Sequence, residues 1–170
     1  MSLEAALHGR LVGELVIVGI GNPLCGDDAA GSLVARGLRP APGVRVIDAE
    51  EVPENHVGAI LATRPKVVLL IDAVDLVSAP GSVAVLEAAE LRLHGAWTHR
   101  VPLGTLMDVL ARETGADVLL LAIQPRQVGL GCAPSAEVEA SVALLIETLD
   151  GLLATRSLPV TAGAVGGGGC

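Results

Sequence analysis

The sequence predicts an α/β protein, a mostly parallel sheet covered by helices on both faces. Three observations carry this. Short runs of Val, Leu and Ile alternate along the chain with Ala- and Leu-rich stretches of helical length, the order that builds strand–helix–strand units. Of 170 residues, 51% are hydrophobic, yet there is no Phe or Tyr and a single Trp. The core must therefore be made of Val, Leu, Ile and Ala, residues that suit buried parallel strands with helices packed on them. No internal repeat or linker divides the chain, and its length suits one domain with its own core.

The elements follow in order. Glu14 to Ile20 is a continuous apolar run of strand length. It enters Gly21-Asn-Pro-Leu-Cys-Gly26, a loop dense in turn formers. Asp27 and Asp28 come next, ahead of a helix over Ala29–Leu38. Carboxylates at that place suit the positive end of a helix dipole. A second strand is predicted at Val44–Asp48 after the Pro40–Gly43 turn, and a helix at Pro53–Thr63 with Pro in its first turn. Val67–Ile71 is the strongest strand signal and ends on Asp72. A shorter strand is predicted at Ser82–Leu86, a helix at Pro102–Thr114 and a strand at Asp117–Ile123. Ser135–Leu153 reads as a long closing helix with Ser135 as its cap. Residues 1–156 form the expected domain, and the Gly-rich stretch at 157–170 is expected to be a disordered tail.

Charge and length exclude several functions. A net charge of −8 without clustered Lys or Arg does not suit a nucleic-acid surface, nor a basic face for a membrane. No apolar run is long enough to span a bilayer, and the first fourteen residues are too interrupted by charge for a signal peptide, so the cytoplasm is the expected location. Cys25, Cys132 and Cys170 are odd in number and lack CxxC spacing, which suits neither a disulfide framework nor a structural zinc site.

In parallel sheets, functional side chains gather beyond the carboxyl ends of the strands. Gly19-Ile-Gly21 suggests a dinucleotide loop, but Leu24 stands where the fingerprint needs its third Gly, and Asp27 and Asp28 would repel a phosphate. Asp27 and Asp28 after the first strand, Asp72 at the end of the central one and His99 before a helix can all open on one edge. Carboxylates with an imidazole suit a divalent transition metal while leaving positions free. Each has a plainer reading. Asp27 or Asp28 can be a helix cap, and Asp72 can satisfy loop amides. His8, His56 and His94 read as surface residues, Asp75 as a turn or supporting acceptor, and Cys25 as a small filler without an activating neighbour.

Taken together, the motifs resemble the nickel–iron hydrogenase maturation endopeptidases. The resemblance is carried by Gly19-Ile-Gly-Asn-Pro-Leu-Cys-Gly-Asp-Asp28 with Ala29-Ala-Gly31, then Ile71-Asp72-Ala73, Ala79-Pro-Gly81, Thr98-His99 and Pro102-Leu103. It extends to Ala122–Gly129, which is similar to the branch that matures hydrogenase 3 of the formate hydrogenlyase type, and covers residues 14–153. It implies a three-layer α/β/α sandwich on a five-stranded sheet with one antiparallel strand. It also implies that Asp28, Asp72 and His99 are the metal-contacting and catalytic residues of an aspartic-type endopeptidase. The implied substrate is a hydrogenase large-subunit precursor that carries nickel itself, and the implied reaction removes its C-terminal extension to complete maturation. A monomer is expected. The competing expectations are a non-catalytic, nickel-dependent checkpoint that binds the precursor, and a small-molecule enzyme on a similar scaffold. Trp97 and the Gly-rich tail match nothing in the resemblance.

Overall fold

The computed structural model describes residues 3–93 and 103–156. His99, His94, Trp97 and the 157–170 segment lie outside the described residues. The strands are β1 (Leu15–Ile20), β2 (Val44–Glu50), β3 (Val67–Ala73), β4 (Val83–Leu86) and β5 (Asp117–Ile123). The helices are α1 (Leu3–Leu7), α2 (Ala30–Gly37), α3 (Val57–Thr63), α4 (Ala88–Leu93), α5 (Leu103–Thr114) and α6 (Ala136–Thr155).

The strands form one sheet in the order β2-β1-β3-β5-β4, with β4 antiparallel to β5 and every other pair parallel. The expected five-stranded mixed sheet is thus observed. Its central strands are buried on both faces, which explains why they read as continuous apolar runs rather than alternating ones. Alternation survives in which face each side chain serves. Val16, Val18, Val68, Leu70, Val118 and Leu120 pack in one cluster with Ile60, Leu91, Leu106, Met107 and Leu110. Leu15, Ile17, Leu69, Ile71, Leu119 and Leu121 pack in the other with Leu7, Val34, Val138, Leu145 and Leu149. The result is three layers, α3, α4 and α5 on one side and α1, α2 and α6 on the other. Each Leu, Ile or Val so buried contributes about 1.5–3 kcal/mol relative to exposure.

Two short helices go beyond the elements read from sequence. In α1, Leu7 and the following Leu11 enter the core, so the charged lead before Glu14 packs although its composition hides this. In α4, the Glu90 carboxylate accepts from the Glu87 backbone N–H at 2.8 Å, closing the helix start. Ser135 occupies the N-cap position of α6, but its side chain makes no capping bond there. Its hydroxyl donates instead to Asp27, at the far end of the β1 loop. Among the described residues, no helix is long and apolar enough to cross a membrane.

Parallel pairing puts the carboxyl ends of β1, β2, β3 and β5 on one edge. There β1 leads outward to β2 on one side, while β3 continues the sheet on the other. The connections diverge between β1 and β3, the switch point where such sheets open a crevice for ligands.

Candidate active site

Two of the residues singled out from sequence flank that crevice. Asp28 lies in a 3-10 turn, Gly26–Ala29, directly after β1, and Asp72 is the penultimate residue of β3. The turn packs against β3. His99, the third residue, lies outside the described residues. Among the described residues, no group of three or more His, Cys, Asp or Glu side chains is close enough to hold a metal ion.

The loop before Asp28 is built from its own sequence. Pro23 favours a turn at its second position, and the Cys25 N–H donates to the Asn22 carbonyl at 3.1 Å to close it. The Asn22 side chain accepts from the Leu24 N–H at 2.9 Å, a local bond Asn is suited to make. In return the Asn22 N–H donates to Asp28 Oδ2 at 2.8 Å. Asp28 is therefore oriented by the turn that precedes it. Asp72, only 7% exposed, accepts from the Ala73 N–H at 2.9 Å through Oδ1.

Three glycines let the turn sit this low. A Cβ on Gly21, which has φ +140°, would lie 1.7 Å from the Asp28 carbonyl oxygen. One on Gly19 would lie 2.2 Å from the Gly31 carbonyl oxygen, and one on Gly31 would lie 2.1 Å from that of Ile71. The close helix–strand approach that the dinucleotide fingerprint obtains from a third Gly in its loop comes here from Gly31, inside the first turn of α2. The loop carries carboxylates, not a phosphate.

Neither aspartate is a helix cap. Ala29 is the N-cap of α2, and neither α2 nor the 3-10 turn has a side-chain capping bond. Asp27 is fully buried and bonded into the β5–α6 loop. Its Oδ2 accepts from the backbone N–H of Arg126 at 2.7 Å, that of Gln127 at 2.9 Å and the Ser135 hydroxyl at 2.9 Å. Its Oδ1 accepts from the Ser135 N–H at 2.5 Å. Tertiary partners have thus won over local capping, for Ser135 as for Asp27.

Burial pushes the Asp27 carboxyl up, and the bonds from Ser135, Gln127 and Arg126 together outweigh it, holding the group below the ordinary aspartate value. A carboxyl depressed in the folded state stabilises the fold above its unfolded value, and this contribution is lost as pH falls through the folded one. Asp27→Asn is accordingly expected to be clearly less stable than the wild type near neutrality, with the gap narrowing at about pH 3. Urea unfolding of both proteins at the two pH values measures it. A constant gap would mean that the Asp27 carboxyl is not held below its unfolded value in the fold.

A second buried polar group, Gln124, fixes the neighbouring β3–β4 loop. Its Oε1 accepts from the N–H groups of Leu76 at 2.6 Å and Ser78 at 3.3 Å. Its amide donates to Asp75 Oδ1 at 3.3 Å and to the Pro125 carbonyl at 3.0 Å. Asp75 also accepts from the Val77 N–H at 3.0 Å, the turn role read from its sequence. The support residues Gln124 and Ser135 carry no functional signature of their own in the sequence, although Gln124 sits in the Ala122–Gly129 run; Asp27 reads there with Asp28 as a carboxylate of the functional edge. Cys25 is half-buried and Cys132 exposed, both as free thiols. A groove of about 570 Å³ between the Pro40–Pro42 turn and the end of α6 lies on the opposite, amino edge and contains none of the candidate residues.

Against known proteins, a family model described as hydrogenase maturation protease matches residues 30–151. The hydrogenase 3 maturation protease of Escherichia coli K12 is 33% identical over 139 residues, which cover 80% of this chain and 88% of that protein. A NiFe hydrogenase maturation protease, HycI from Thermococcus kodakarensis, superposes with a TM-score of 0.80 at 32% identity, covering 89% of this chain and 98% of its own. A crystal structure of a hydrogenase 3 maturation protease gives 0.74 at 31% identity, over 85% and 93%.

Proposed function

Because the chain belongs to the hydrogenase maturation protease family, we propose that the β1–β3 crevice is where it grips a nickel-loaded large-subunit precursor and cuts off its C-terminal extension. The chain is an endopeptidase of hydrogenase maturation. The family match favours neither a non-catalytic checkpoint nor a small-molecule enzyme.

The observation that supports the site assignment is that Asp28, in the turn that follows β1 and packs on β3, and Asp72, near the end of β3, belong to neighbouring parallel strands at the switch point. Two carboxylates, with His99 as the third donor, suit a divalent ion that arrives with the substrate. The nickel is then cargo of the precursor, and an unloaded precursor lacks the group these side chains recognise. Hydrolysis requires water to attack the carbonyl carbon, a base to take its proton and the amine to leave protonated. A carboxylate of the pair serves as that base, which makes the enzyme aspartic-type.

The edge also suits a polypeptide. Leu24, Val77, Val128 and Leu130 are all exposed, on three loops around the crevice, and the Gly131 N–H donates to the Leu24 carbonyl at 2.7 Å, joining two of those loops. Large apolar side chains left in water on a functional edge suit a protein partner. The setting we assign is the cytoplasm, with the enzyme acting as a monomer.

Purified enzyme incubated with nickel-loaded and nickel-free precursor should shorten only the loaded form, followed by the mass of the large subunit. Equal processing of both would overturn the nickel requirement.

A further inference from the structure

We propose that Asp27 is a positioning residue for peptide cleavage: its buried carboxylate clamps the β1 loop to the β5–α6 loop and thereby sets where Asp28 stands. The inference rests on the assignment of Asp28 to the site. Asp27 itself touches no substrate in this scheme, being fully buried.

The geometry is that of a clamp between segments about a hundred residues apart. Four hydrogen bonds converge on one carboxylate, from Arg126, Gln127 and twice from Ser135. The same two loops are also joined by three backbone bonds. Gly26 N–H donates to the Cys132 carbonyl at 3.1 Å, Asp27 N–H to the Gln127 carbonyl at 3.0 Å and Gly131 N–H to the Leu24 carbonyl at 2.7 Å. Gly26 has φ +58°, and a Cβ on it would lie 3.0 Å from the Gln127 carbonyl oxygen, so the loops meet backbone to backbone. Only a group with acceptors on both oxygens satisfies all four donors. In Asn, one of the two positions becomes an NH2 and faces either the Arg126 and Gln127 N–H groups with the Ser135 hydroxyl, or the Ser135 N–H alone, donor to donor.

Asp28 is the next residue in a four-residue 3-10 turn, so a shift of Asp27 is passed on to Asp28 with little to absorb it. A misplacement of about 1 Å in a catalytic array costs on the order of 100-fold in rate. The Asn22 N–H, bonded to Asp28 Oδ2, is a built-in reporter of where that carboxylate stands.

The experiment compares wild type, Asp27→Asn, Ser135→Ala and Asp28→Asn in the full-length enzyme with nickel-loaded precursor. Rates are expressed per folded molecule, at a temperature well below each variant's Tm. For Asp27→Asn we expect kcat to fall about 100-fold with KM within about threefold. The Asn22 amide resonance should shift while amides of β3 keep their positions. Ser135→Ala removes one of the four donors, so it should move the Asn22 resonance in the same direction by less, which keeps the test open if Asp27→Asn does not fold. Wild-type kcat in folded Asp27→Asn, or an Asn22 resonance unmoved in both variants, overturns the proposal. Full activity of Asp28→Asn would instead sink the site assignment itself. An inactive Asp28→Asn beside a fully active Asp27→Asn removes the positioning role alone.

Discussion

Asp72→Asn is expected to lose precursor processing by about 100-fold or more while the protein stays folded. Asp72 closes β3, is nearly buried, and accepts from the adjacent Ala73 N–H through Oδ1. The Asn carbonyl oxygen can keep that bond, and the two side chains have nearly the same shape, so the packing of the strand end is retained. What disappears is the negative charge and one oxygen's capacity to bind a cation or accept a proton. Circular dichroism and an unfolding curve should overlay those of the wild type, while the mass of the large subunit stays at that of the precursor. Full processing by Asp72→Asn would remove Asp72 from the site.

Gly31→Ala should be strongly destabilising, costing on the order of 3 kcal/mol and taking activity with it. In an open helix, Gly→Ala stabilises by up to about 1 kcal/mol. The sign reverses here because the new Cβ would lie 2.1 Å from the Ile71 carbonyl oxygen, 2.3 Å from that of Ile20 and 2.8 Å from the Ile20 nitrogen. All three are backbone atoms of paired strands and cannot turn aside as a flexible side chain can. The helix must lift from the sheet, and the turn bearing Asp28 lifts with it. Gly58→Ala in α3 is the control, since a Cβ there meets nothing within 4 Å; it should be neutral or stabilising. Urea unfolding of the three proteins, with processing assayed in parallel, decides the matter. Equal stability of the two variants would mean the α2–sheet contact is looser than these distances indicate.

Much of the fold was legible in the residues. The central strands could be read because burial on both faces leaves an unbroken run of Val, Leu and Ile, as in Val67–Ile71. Asp72 stood out because it closes such a run, and Asp28 because it lies in the loop that follows one, where functional side chains of a parallel sheet gather. The short α1 and α4 could not be read. Each is only five or six residues long, and the face it buries is defined by a sheet assembled from distant segments. Asp27 and Ser135 misled for a related reason. A small polar residue before a helix has the same local signature whether it caps its own helix or reaches 108 positions away to bond another loop.

Local pattern by itself therefore determined the five strands and the longer helices, and the motifs carried the resemblance to the family to which the chain belongs. Folding decided where each acid's hydrogen bonds go. Of two adjacent aspartates, one is consumed by four internal donors and the other stands beside the β1–β3 crevice. The choice depends on which backbone amides the β5–α6 loop delivers after the sheet has closed. Hydrophobic periodicity is written within a few residues of chain, but the partner of a buried carboxylate is set by contacts across the whole of it.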